Sequence, residues 1–180
     1  GQCGDSLYWN FGDNELKITG TGAMYDYTKT TMPWMLFRDS IYLIRIGDSA
    51  TYVGEYAFAD CPNLGTLFVG ESVETIAENT FVNCRNLHVV YCYPTIPPYA
   101  ENNSFTNYNG YLYVPCDSKR DYSLDYVWGQ FKYIECIEEE TDIESVESES
   151  SEQSVRKIYR DGHIYILRDG EEYSILGQKL

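Results

Sequence analysis

Apolar residues in the middle of this chain recur every 23 positions. The columns read Ile41, Leu64, Leu87; Ile44, Leu67, Val90; Ile46, Val69, Cys92; Ala50, Val73, Ile96; Val53, Ile76; Phe58, Phe81; and Cys61, Cys84, with Asn63 and Asn86 as a polar column. One spacing shared by so many columns marks a solenoid of stacked coils, each burying its apolar side only against its neighbours. Within a coil, Leu64-x-x-Leu67-x-Val69 ends in the period-two alternation of a strand. Val73-x-x-Ile76 then supplies a second apolar pair before Phe81 and Cys84 fill the interior. The pattern predicts a mostly β, short solenoid whose function lies on its exposed surface.

The flanks follow other rules. Leu7-Tyr-Trp-Asn-Phe11 and Leu16-Lys-Ile18 alternate on either side of Gly12-Asp-Asn14, which predicts a β-hairpin. In the third coil Ile96 keeps its column, but Pro94, Pro97 and Pro98 interrupt the chain and Phe105 arrives one residue late. Asn109-Gly110 turns into Tyr111-Leu-Tyr-Val-Pro115, after which Asp117 or Ser118 can N-cap a short helix, with Asp121 placed for a capping box. That helix would cover the last strand edge. Near the end, the Asp-Gly pairs at 161–162 and 169–170, each flanked by alternating apolar residues, predict a three-stranded meander. The domains expected are a capping module over 1–37, repeats with a C-terminal cap over 38–137, an acidic linker over 138–154, and a β-hairpin or meander tail over 155–180.

Two segments carry a family resemblance: Val53-Gly-Glu-Tyr-Ala-Phe-Ala-Asp-Cys61-Pro-Asn-Leu64 and Ile76-Ala-Glu-Asn-Thr-Phe-Val-Asn-Cys84-Arg-Asn-Leu87. They resemble the BspA-like, treponemal-type leucine-rich repeat, I-G-x-x-A-F-x-x-C-x-x-L, with Ala77 and Thr80 standing where Gly and Ala are usual. Residues 1–37 resemble the module that precedes such repeats, and a cap is needed because the first coil would otherwise expose its interior. Trp9 and Trp34 are read as plugs of that cap. The stretch Leu112-Tyr-Val-Pro-Cys-Asp-Ser-Lys, followed by Tyr122, Trp128 and Phe131, resembles the usual end of these solenoids. The final Arg-Asp-Gly-Glu-Glu-Tyr-Ser-Ile-Leu-Gly-Gln-Lys is similar to the tails of exported Bacteroidetes proteins, which resemble type IX sorting signals. The resemblance implies a secreted or bacterial cell-surface adhesion protein. Gly1 in place of an initiator Met fits an export signal trimmed from the chain.

The net charge of −15 is uneven. Residues 1–137 carry 8 basic and 16 acidic groups, whereas 138–152 carry 8 acidic and none basic. Without a basic stripe, phosphate backbones are repelled, which argues against nucleic acid and anionic membrane partners. The acidic run buries too little to offset its ordering entropy and reads as an extended linker. It lacks the Asp-x-Asp-x-Asp-Gly spacing of a calcium loop. No apolar run is long enough for a membrane span. Of the six cysteines, Cys61 and Cys84 share a column with parallel Cβ vectors, which predicts buried thiols. One bridge among Cys92, Cys116 and Cys136 would staple the open end, and Cys3 has no evident mate.

Reactive constellations are scarce. There are two histidines, and no G-x-S-x-G, H-E-x-x-H or phosphate-binding glycine loop occurs. Cys84, His88 and Cys92 have metal-like spacing, but His88 should point outward and Cys92 inward, so no metal or cofactor is expected. Glu138 and Glu140 lie in the linker without a cleft, so no enzyme activity is expected either. The outward position between paired inward strand residues is Arg45, Phe68, Tyr91 and Tyr113 in successive coils. Side chains in one such column lie about 4.8 Å apart and should form a ladder. With 18 tyrosines in the chain, this ladder is the candidate ligand-binding surface, since Tyr offers large contact area at low entropy cost. The expected partner is a protein or glycoprotein, with a host-derived one among the candidates. One alternative is a carbohydrate-binding module using Tyr91, Tyr93 and Tyr99. Another is a structural spacer that self-associates through its C-terminal tail.

Overall fold

The computed structural model describes residues 1–137 and, beyond them, the backbone of three strands. The chain divides into two units, Gly1–Ile137 and Glu138–Leu180. In the second, strands Val155–Arg160, His163–Arg168 and Glu171–Ser174 pair antiparallel in that order, which is the meander expected. The acidic linker, both Asp-Gly turns and the last residues of the sorting-like tail lie outside the described residues.

The first unit opens with the hairpin β1 (Gly4–Gly12) and β2 (Glu15–Met24). Asp13 and Asn14 both have positive φ, 51° and 61°, the signature of the tight turn that matches strand twist. β2 belongs to the solenoid as well as to the cap. Its first half pairs in parallel with β3 (Leu43–Ile46), Lys17 opposite Arg45, and its second half meets β4 (Ala50–Val53). A parallel stack then runs β3, β5 (Thr66–Val69), β7 (Val89–Cys92), β9 (Tyr111–Val114), β10 (Tyr133–Cys136). A second, shorter stack runs β4, β6 (Thr75–Ile76), β8 (Tyr99–Ala100). The register is in step throughout, Arg45 to Phe68 to Tyr91 to Tyr113.

Inside, the Phe column becomes a spine. Trp34 stacks on Phe58 at 5.4 Å, Phe58 on Phe81 at 5.4 Å and Phe81 on Phe105 at 5.1 Å, and Trp128 closes the far end edge-on at 5.3 Å. Both tryptophans are fully buried, and each indole N–H donates to a carbonyl, Trp34 to Ala57 at 2.8 Å and Trp128 to Pro98 at 2.7 Å. The plug role of Trp34 thus has a physical basis, and Trp9 packs edge-on against it at 5.9 Å. Asparagines tie the coils together at their turns: Asn63 donates to Asp39 O, Asn86 to Pro62 O, and Asn107 to the carbonyls of Arg85 and Leu87. The off-consensus Thr80 is buried, and its hydroxyl donates to Ala77 O at 2.7 Å.

Three expectations are corrected. Ile96 does not keep its column and is 78% exposed. β8 pairs with β6 as Thr75 to Tyr99, a spacing of 24, so the extra residue has already entered the coil and Pro98 takes a buried place near it. Ser118 is the N-cap of α1 (Lys119–Leu124), but its side chain does not cap. The hydroxyl instead donates to Thr95 O at 2.6 Å, pinning the cap to the third coil. Of the three cysteines among which one bridge is expected, Cys92 is not in one. It is a fully buried thiol beside the Tyr122 hydroxyl at 3.3 Å, and burial pushes it up to about 12. Cys61 and Cys84 are buried thiols as expected. Their mutual hydrogen bonding, then burial, holds the Cys61 proton on far above the usual thiol range.

Candidate functional site

The ladder is assembled by register alone. Each of its four residues sits on one parallel strand with an inward-facing residue on either side, so alternation turns them to the opposite face. The Arg45 guanidinium carbon lies 4.0 Å from the centroid of the Phe68 ring. Phe68 stacks on Tyr91 at 4.8 Å and 7°, and Tyr91 on Tyr113 at 4.8 Å and 13°. All four predicted residues are therefore in one continuous stack.

Exposure along it is unequal. Phe68 is 1% exposed and Arg45, Tyr91 and Tyr113 are half-buried, so the centre is not the open aromatic patch that alternation implied. The Phe68 ring has a cation on one face and a ring on the other, and such a cation contact contributes about 0.5–2 kcal/mol according to desolvation. Burial first, then the neighbouring Tyr113 phenol, pushes Tyr91 up to about 12.

The ladder is longer at both ends than the columns indicated. At one end, Glu15 accepts from Arg45 Nε at 3.1 Å and pairs with Lys17 Nζ at 3.1 Å, so a carboxylate orients the guanidinium over Phe68. At the other, Tyr113 is followed by Tyr111 at 6.0 Å, which stacks on Tyr133 at 4.6 Å, and Lys132 Nζ lies 5.1 Å above the Tyr133 ring. Tyr111 and Tyr133 are 41% and 40% exposed and form the open part of the surface. A signal for both ends existed in the sequence. Leu16-Lys-Ile18 repeats Ile44-Arg-Ile46, and Tyr133-Ile-Glu-Cys136 repeats the alternation of Tyr111-Leu-Tyr-Val114, but at spacings other than 23.

The residues considered for a glycan platform do not share one surface. Tyr91 lies on β7 in the long stack and Tyr99 on β8 in the short one, where its hydroxyl donates to Glu101 at 2.6 Å. His88 is exposed and Cys92 buried, so the metal-like spacing does not converge. No three His, Cys, Asp or Glu side chains are grouped for a metal among the described residues. None of the described helices is long and apolar enough to cross a membrane.

Residues 30–116 match the family model of the BspA type leucine rich repeat region, in six copies. Over these residues the chain is similar to BspA-type leucine-rich repeats. The matched region covers the Trp34 plug, both consensus coils and strands β3 to β9 of the ladder. A solved leucine-rich repeat protein from Eubacterium ventriosum ATCC 27560 is similar at 17% identity, with a TM-score of 0.48 over 96% of this chain. The chain spans 47% of that protein's length. No curated protein matches the sequence.

Proposed function

We propose that this repeat domain is a non-enzymatic binding module that grips a protein or glycoprotein through the outer face of its long parallel stack. One observation supports the reading above others: the unbroken series from Arg45 through Phe68, Tyr91, Tyr113 and Tyr111 to Tyr133. Rings held between neighbours lose little rotamer freedom on binding, which lowers the ordering cost of an interface. In this reading the residues divide their work. Tyr111, Tyr133 and Lys132 contact the partner, Tyr91 and Tyr113 extend that contact, and Phe68 with Arg45 fixes the rings from behind. The alternative glycan platform has less support, because Tyr91 and Tyr99 sit on different stacks. Secretion or display on a bacterial surface, with a host partner, follows from the resemblance of the repeats and of the tail to exported proteins.

The test is biolayer interferometry of the full chain against a panel of extracellular-matrix proteins and glycoproteins. For any binder found, Tyr111→Ala with Tyr133→Ala should weaken affinity at least tenfold, as loss of two interface aromatics of about 1–2 kcal/mol each would require. Unchanged affinity would exclude the face, and a panel blank at about 10 μM would exclude the matrix-protein reading. Deleting 153–180 should abolish export from a type IX-competent host; undiminished secretion would exclude the sorting role.

A further inference from the structure

The C-terminal cap is one closed excursion from the sheet. The chain leaves β9 at Val114, runs through Cys116–Ser118 and α1, buries Tyr122, Trp128 and Phe131 against the end of the spine, and returns as β10. A cysteine stands at each mouth of this excursion, Cys116 on departure and Cys136 on return, 20 positions apart. The two mouths are adjacent. Cys136 is opposite Val114 in the β9–β10 register, and Ile137 N–H donates to Val114 O at 2.8 Å. Cys116 Sγ lies 3.7 Å from Ile137 O, against the residue that follows Cys136. Lys119, three residues after Cys116, is held by Glu135, the neighbour of Cys136, at 2.9 Å, and that hydrogen bond raises the lysine.

We propose that Cys116 and Cys136 are a redox-reversible disulfide pair that locks the C-terminal cap onto the last coil. The other cysteines differ in kind. Cys3, Cys61, Cys84 and Cys92 are buried thiols, whereas Cys116 is exposed and Cys136 half-buried. Cys116 stands two residues beyond Val114, the strand partner of Cys136, and the turn Cys116–Ser118 brings its sulfur back against Ile137, next to Cys136; a disulfide there needs a Cα separation of roughly 4.4–6.8 Å. With a small-molecule disulfide as oxidant, one cysteine thiolate attacks it, forming a mixed disulfide and releasing one thiolate. The second cysteine then attacks the mixed disulfide, forming the Cys116–Cys136 bond and releasing the other. The two cysteines lose two electrons and two protons, and the oxidant gains them as two thiols.

Locking matters because the cap closes the end of the spine, with Trp128 and Phe131 both packed edge-on against Phe105. Reduction leaves the cap held by its packing and by contacts such as Ser118 to Thr95 and Trp128 to Pro98. Closing a loop of this length restrains the unfolded chain, and the melting temperature should rise by about 5–10 °C on oxidation. Because the bond joins loop mouths rather than the ladder, the inference stands independently of the binding face.

The experiment takes the reduced full chain, equilibrates it with oxidised glutathione, alkylates the remaining thiols and digests with trypsin, which cuts after Lys119, Arg120 and Lys132 between the two cysteines. The expected product is one peptide pair linked through Cys116 and Cys136, with the four buried cysteines alkylated only after denaturation. Cys116→Ser and Cys136→Ser, checked for folding by circular dichroism, should each remove both the link and the rise in Tm. Glutathione adducts in place of the link, a link to any other cysteine, or no oxidation at all would overturn the proposal.

Discussion

Replacing Phe81 by Ala tests whether the interior spine holds the coils together. Phe81 is fully buried, stacked between Phe58 at 5.4 Å and Phe105 at 5.1 Å, with interplanar angles of 21° and 9°. A buried Phe removes roughly 150–250 Å² from water. At about 25 cal/mol per Å² that is ~4–6 kcal/mol, of which the alanine methyl keeps about 1 kcal/mol. The expected loss of ~3–5 kcal/mol agrees with measured Phe→Ala costs in cores. Phe81→Leu separates the two contributions, since it keeps most of the apolar area and gives up both ring contacts, for a loss of ~1–2 kcal/mol. Phe37→Ala is the control: that ring stacks on Phe11 at 4.8 Å but is 39% exposed, so its loss should stay near 1 kcal/mol. Urea unfolding followed by tryptophan fluorescence reads these differences, because Trp34 and Trp128 sit at the two ends of the same spine. A Phe81→Ala loss no greater than that of Phe37→Ala would refute the spine as the source of cohesion. A smaller m value would instead show that the coils had stopped unfolding as one unit.

Two other outcomes follow from the same geometry. At Gly54 an added methyl group would run into the carbonyl oxygen of Tyr25, a backbone atom that cannot swing aside, whereas the equivalent position one coil later already carries Ala77. Gly54→Ala should therefore cost about 1–3 kcal/mol by overpacking, and a melting temperature within a degree of the parent would contradict this close approach of cap to coil. Stability should also fall at high pH. Tyr52, through burial and its hydrogen bond to Asp26, and Tyr91, chiefly through burial, both titrate at about 12 when folded, against about 10 in an unfolded chain. The folded state binds these protons more tightly, so their contribution is fully present below pH 10 and is lost as pH rises toward 12. Urea midpoints at pH 8, 10 and 11 should decline, Tyr91→Phe should shallow the decline, and a flat profile would exclude it.

The repeat by itself determined the coil, the inward columns and the hairpin turn at Asp13-Asn14, and the structure places the columns of the first two coils in the core. The physical reason is locality: in a stack where each coil touches only its neighbours, inward or outward is settled by alternation within a strand and by a fixed number of residues per turn. Where that count changes, the sequence stops deciding. One extra residue before β8 put Ile96 into solvent, and the shorter return to β10 hid Tyr133 and Glu135 from the 23-residue columns. Outward exposure was also beyond a single-coil reading. Phe68 alternates as an exposed residue, yet Arg45 from one strand and Tyr91 from the next close over its two faces. Ser118 occupies a helix N-cap by sequence, but a carbonyl brought near by the third coil, that of Thr95, took its hydroxyl. Spacing could fix which residues share a column; only the packed coils could decide which atoms in neighbouring columns and loops come close enough to bond.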